Sequence, residues 1–103
     1  MAITVKTGRG AYAMKLAAPT ERSGDAIVLT IALDRADGIE RVAFKCRVAA
    51  ELAASASDEA LAERLAQWIE RDFEMTRETA LKTIRTERRL HEFLFDSTNR
   101  GPL

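Results

Sequence analysis

The sequence contains one cysteine, Cys46, and one histidine, His91, which are the residue types most often used as nucleophile and base. A catalytic thiol needs a neighbouring base and an environment that stabilises its thiolate. Cys46 instead alternates with Val42, Phe44 and Val48 in a period-two pattern, which predicts a side chain that faces the core. We therefore predict packing as the role of Cys46, and a Cys–His enzyme remains only a third hypothesis.

Other catalytic or ligand-binding patterns are weak. A lone cysteine and a lone histidine do not complete a zinc site without carboxylate ligands. Glu59, Glu63 and Glu70 fall on the polar side of a predicted helix, where carboxylates are normally solvated. Residues 8–10 form a Gly-Arg-Gly run that is too short for a phosphate-binding loop and lacks the strand–loop–helix context. We predict no metal, no cofactor and no enzymatic activity.

Basic residues gather on one side of the predicted sheet, which we call the outer face. Strand alternation places four cations there together with small residues. Such a face is suited to a phosphate backbone or an acidic partner. Domains that bind single strands on a sheet also stack bases on exposed aromatic rings, and no aromatic residue falls on this face. Its predicted members are Lys15, Val28, Thr30, Ala32, Arg41, Ala43, Lys45 and Arg47.

A second basic surface is predicted on a helix, where Lys82, Arg85 and Arg89 are spaced three or four residues apart. Residues 51–75 hold seven acidic and two basic side chains, whereas residues 76–92 hold five basic and three acidic ones. These opposite charges favour either pairing within one copy or a symmetric dimer.

The elements that position these residues follow from periodicity. Residues 26–34 alternate as a strand, Asp37 and Gly38 favour a hairpin loop, and residues 41–48 alternate again. Weaker alternation at residues 11–16 and at Ile3 and Val5 predicts further short strands. We expect three to four antiparallel strands in meander order.

Two helices should follow the strands. Leu61, Leu65, Trp68, Ile69 and Phe73 form one helical stripe behind a Ser57 N-cap, which predicts a helix over residues 58–74. Apolar spacing continues through residues 76–88, but one continuous helix would measure about 46 Å in a domain with a radius of gyration of about 13 Å. We therefore predict a sharp corner near Met75 and Thr76.

Residues 90–95 are compatible with a helix or a strand, and we favour a short C-terminal strand that joins the sheet, because phenylalanines cluster there. Strands followed by helices predict the α+β class, with both helices packed on one face of the antiparallel sheet. The predicted core contains Tyr12, Met14, Leu16, Ile27, Leu29, Ile31, Leu33, Val42, Phe44, Cys46, Val48, Leu61, Leu65, Trp68, Ile69, Leu81 and Ile84.

Composition is that of one globular domain. The chain has 103 residues, of which 47% are hydrophobic and 31% charged, and the formal net charge is +0. We predict one domain over residues 1–96 and a flexible tail over residues 97–103. A single cysteine excludes an internal disulfide, and no apolar run suggests a leader or a membrane span, so we expect a cytoplasmic protein. Twelve arginines against four lysines, with eighteen alanines, suggest a bacterial origin.

These observations favour a non-enzymatic protein-interaction or regulatory module that self-associates. Its expected partner is another protein or a second copy, and we expect no membrane binding. The alternative is sequence-independent nucleic-acid binding through the basic residues named above.

Overall fold

A computed structural model describes residues 3–23, 26–49, 52 and 57–95. The predicted tail, residues 97–103, lies outside these ranges. Over these residues the fold is α+β with two complete helices, as predicted, but the sheet has six strands and is mixed. In chain order the elements are β1 (Ile3–Thr7), β2 (Gly10–Leu16), β3 (Glu21–Ser23), β4 (Ala26–Arg35), β5 (Arg41–Val48), α1 (Asp58–Arg71), α2 (Phe73–Glu87) and β6 (Glu92–Phe95).

The sheet has the order β1-β2-β4-β5-β6, and β3 pairs with β4 beyond the end of β2. Leu16 lies opposite Ile31 and Glu21 lies opposite Val28, so β2 and β3 follow the same side of β4. Pro19, which has no backbone N–H to donate, lies in the connection between them. The prediction of three to four strands with a further C-terminal strand missed β3, which is only three residues long.

The strand β6 makes the sheet mixed. All other pairings are antiparallel, whereas β6 runs parallel to β5 with Phe93 opposite Cys46. A parallel neighbour requires a long crossover connection, and the segment between β5 and β6 contains both helices. The pairing of β6 with β5 confirms the predicted C-terminal strand. The two helices supply the long connection that its parallel direction requires.

The first helix begins as its sequence predicts. The Ser57 hydroxyl accepts a hydrogen bond from the Ala60 N–H at 3.2 Å, and Asp58 and Glu59 occupy the first turn. The predicted apolar stripe is buried, with Leu61, Leu65, Trp68 and Ile69 fully enclosed.

The corner between the helices lies at Asp72 instead of near Met75 and Thr76. The Asp72 carbonyl accepts hydrogen bonds from both the backbone N–H and the hydroxyl of Thr76, at 3.0 and 2.9 Å. A single non-helical residue therefore separates the two helices, and its carbonyl accepts the first backbone hydrogen bond of α2.

The corner also decides which side of α2 is buried. Phe73, Thr76, Ala80 and Thr83 point into the protein, whereas Leu81 is partly buried and Ile84 is 36% exposed. The prediction that Ile84 belongs to the core was wrong, because the buried stripe of the short second helix starts at Phe73. Leu16 was also wrongly placed in the core: it is the last residue of β2 and is 41% exposed.

Aromatic rings occupy the space between the sheet and the helices. The Phe93 ring lies 5.3 Å from Phe44 and 5.7 Å from Trp68, both in edge-to-face geometry, and the Phe95 ring lies 6.0 Å from Trp68. Such pairs add to the stability gained from burial. No helix within the described ranges is long and apolar enough to cross a membrane.

Candidate functional site

Cys46 and His91 do not form a nucleophile–base pair in this structure. Cys46 has no exposed surface, and burial raises the pKa of its thiol far above the usual value. The His91 Nδ1 atom lies 3.2 Å from the Thr83 hydroxyl, and the imidazole packs 4.5 Å from the Phe93 ring. Both residues are described, and no hydrogen bond joins the Cys46 and His91 side chains. A buried neutral thiol is a poor nucleophile.

The carboxylates do not converge on a metal position either. Within the described parts of the chain, no group of three or more His, Cys, Asp or Glu side chains is arranged to hold a metal ion.

The outer face is the side of the sheet opposite the helices. Strand register confirms that Lys15, Ala32 and Ala43 form one row across β2, β4 and β5, and that Thr30, Lys45 and Glu92 form the next. Along β4 the outer-face side chains are small until Asp34. Strand register also places six further residues on this face, which were not among its predicted members: Ala13, Ala17, Glu21, Asp34, Glu92 and Leu94.

The four cations predicted on the outer face are brought together, but three of them have acidic neighbours. Asp34 lies 3.3 Å from the Lys15 Nζ and 3.0 Å from the Arg41 Nε. The Arg47 Nε donates to the Glu92 carboxylate at 2.7 Å. Only Lys45 of the four has no ion pair within the described ranges. The outer face is therefore less positive than the sequence suggests.

The second basic surface lies in the helix layer. Lys82 and Arg85 are both exposed on α2, and the Arg89 Nε donates to Glu87 at 2.6 Å just after the helix. Because α2 packs against the opposite side of the sheet, these residues and the outer-face cations belong to two separate surfaces. A single small ligand does not reach both.

Aromatic side chains are absent from the outer face. The six aromatic residues of the chain are Tyr12, Phe44, Trp68, Phe73, Phe93 and Phe95, and each is at most 4% exposed. The described residues therefore offer no platform on which nucleic-acid bases stack.

A partly buried ionic cluster was not predicted from the sequence. The guanidinium of Arg77 donates to both carboxylate oxygens of Glu40, from Nε at 2.8 Å and from Nη2 at 2.6 Å. The Tyr12 hydroxyl donates to the same carboxylate at 2.8 Å. Hydrogen bonds from Arg77, more than any other cause, lower the pKa of Glu40 to about 2. These hydrogen bonds tie the β4–β5 loop to α2.

An open groove lies where β2 ends and α1 begins. It has a volume of 490 Å³, and Ile3, Met14, Leu16 and Ala62 form its apolar wall. Its volume suits a small ligand. The acidic residues at its rim, Asp58 and Glu59, already have a role at the N-terminus of α1.

The class that the fold defines is a small α+β domain with both described helices on one face of the sheet. Comparisons of the chain with protein-family models, with curated proteins and with solved structures found no match. The functional argument therefore rests on the geometry of the outer face.

Proposed function

We propose that the protein is a non-enzymatic interaction module that self-associates through its outer face. One observation carries the proposal: small uncharged side chains line the middle of this face and charged side chains border it. Val28, Thr30 and Ala32 follow β4, whereas the cations stand on β2 and β5. An uncharged centre with a polar rim is the usual anatomy of a protein interface.

The charge of the whole chain agrees with association between copies. The formal net charge is +0 and the isoelectric point is near 6.6, so two copies do not repel each other strongly at neutral pH. Proteins with little net charge associate more readily than highly charged ones.

The size of the face limits the affinity. With strands about 4.8 Å apart and residues about 3.3 Å apart, the face covers roughly 500 Å² per copy. A pair of copies would bury roughly 1,000 Å², which is the lower limit for specific interfaces. Val28 and Ala32 are already only 5% and 0% exposed, so the additional apolar burial is modest. We therefore expect a weak dimer.

Sedimentation velocity tests self-association directly. Over protein concentrations from about 10 µM to about 1 mM, the range appropriate to a small interface, the weight-average mass should rise from 11.4 kDa toward twice that value. A mass that stays at 11.4 kDa at the highest concentration would refute the proposed function.

Nucleic-acid binding is the second candidate, supported by the gathering of Lys15, Arg41, Lys45 and Arg47 on one face. Phosphate backbones bind to such clusters without sequence preference. Asp34 and Glu92 on the same face oppose this candidate, because they pair with three of the cations and repel phosphates.

Fluorescence anisotropy with single- and double-stranded oligonucleotides tests this candidate. Backbone binding should be present at about 50 mM salt and weaken steeply by about 200 mM, because bound counterions are released. Lys45→Glu should weaken it most, since Lys45 has no acidic partner among the described residues. Arg22→Glu serves as the control, because Arg22 is exposed on β3 but faces the other side of the sheet. Absent or salt-independent binding would exclude the candidate.

A further inference from the structure

The geometry points to a second copy of this chain as the occupant of the outer face, related to the first by a two-fold axis that runs along β4. This inference rests on the proposed function and adds the arrangement of the two copies. Sheets that pack face to face keep their strands within about 30° of one another at a separation of about 10 Å. A two-fold axis along β4 places the β4 strands of the two copies over each other. It also places β2 of each copy over β5 of the other copy.

The exchange matches large side chains with small ones. Ala13 and Arg41 flank Asp34 in one row, so the rotation places each Arg41 over Ala13 of the second copy. In the next row, Lys15 and Ala43 flank Ala32, so each Lys15 lies over Ala43 of the second copy. Long cationic side chains can thus lay their methylene groups on alanine while their charged ends reach the rim.

The exchange also matches opposite charges. Glu21 on β3 and Arg47 on β5 flank Val28 in a third row. The two-fold axis therefore places Glu21 of each copy over Arg47 of the other, and the pair occurs twice. Asp34 lies on the axis and meets its own counterpart, but Lys15 and Arg41 of the same copy already neutralise it.

Other two-fold arrangements oppose like charges. An axis along β5 would place Lys45 over Lys45 and Arg47 over Arg47 of the second copy. An axis across the strands through the middle of β5 would place Arg41 over Arg47, because these residues stand at opposite ends of that strand. Like charges held face to face disfavour association, so the axis along β4 is the arrangement that the register supports.

Charge reversal at Glu21 and Arg47 tests the arrangement by sedimentation velocity. Glu21→Arg or Arg47→Glu alone creates two like-charge contacts and should weaken the dimer by about tenfold or more. The double variant E21R/R47E restores both pairs and should return the dissociation constant to within about threefold of the wild-type value. Arg47→Glu also removes the exposed pair with Glu92, so circular dichroism must show that each variant is folded.

Arg22→Glu is the matched control, since Arg22 is exposed, follows Glu21 on β3 and faces the opposite side of the sheet, and it should leave association unchanged. Wild-type association that both single reversals leave intact overturns the inference while the proposed function stands. Loss of association in the single variants without recovery in the double variant overturns the two-fold axis along β4. A wild-type protein that is monomeric throughout overturns the proposed function itself.

Discussion

Replacing Phe93 by alanine is expected to lower the free energy of unfolding by about 3–5 kcal/mol, the usual cost of removing a buried phenylalanine ring. The Phe93 side chain has no exposed surface and packs against Phe44, Trp68 and His91. It belongs to β6, which joins the sheet only after both helices have crossed its inner face. A loss of this size is a large part of the stability of a small domain.

Urea unfolding followed by circular dichroism measures the effect. Leu94→Ala is the matched control, because Leu94 lies on the same strand, faces the outer side and is only half-buried. It should cost far less than Phe93→Ala. Equal losses for the two variants would contradict the alternation that places Phe93 in the core.

The sequence predicts the hairpin of β4 and β5 and the first helix well because each has a strong local signal. Alternating residues at 26–34 and 41–48 become register partners such as Leu29 and Cys46, and Ser57 caps α1. The division into two helices is predicted from the size of the domain, but its position at Asp72 is not. No glycine or proline marks that position, and the hydrogen bonds from Thr76 become visible only in the folded backbone.

The direction of β6 also lies beyond the sequence signal. Its alternation identifies a strand, and Phe93 and Phe95 are buried as that pattern requires. Whether such a strand runs parallel or antiparallel to its neighbour depends on the path of the preceding helices, which local patterns do not encode.

For a similar reason, the sequence predicts the cations of the outer face but not their acidic neighbours. Parity alone places Lys15, Arg41, Lys45 and Arg47 on one side of the sheet, and the strand pairing confirms it. Their acidic neighbours depend on register between strands: Asp34 stands beside Arg41, and Glu92 reaches Arg47 from the far end of the chain. The pair of Glu40 and Arg77 could not be predicted for the same reason, because the two residues are separated by 37 positions and meet only in the folded protein.

Replacing Glu40 by glutamine is expected to lower the free energy of unfolding by about 2–3 kcal/mol at pH 7, because each unit by which the pKa of Glu40 is lowered corresponds to about 1.4 kcal/mol at most. The pKa of Glu40 falls from 4.5 to about 2 in the folded protein, chiefly because Arg77 donates to its carboxylate. A lowered folded-state pKa contributes stability that is complete above pH 4.5 and is lost as the pH falls through about 2. The difference between wild type and E40Q should therefore shrink to less than half by about pH 3.

Urea unfolding of both proteins at about pH 7, 5 and 3, the range over which the linkage acts, measures this difference. Glu74→Gln is the matched control, because Glu74 also accepts a two-pronged hydrogen bond from an arginine, Arg9, but both side chains are largely exposed. Water screens that pair, so its removal should change stability little. A difference between wild type and E40Q that stays constant from pH 7 to pH 3 would mean that the charge of Glu40 does not stabilise the fold. Shrinkage confined to E40Q would identify the partly buried pair of Glu40 and Arg77 as a contact that holds α2 against the β4–β5 loop.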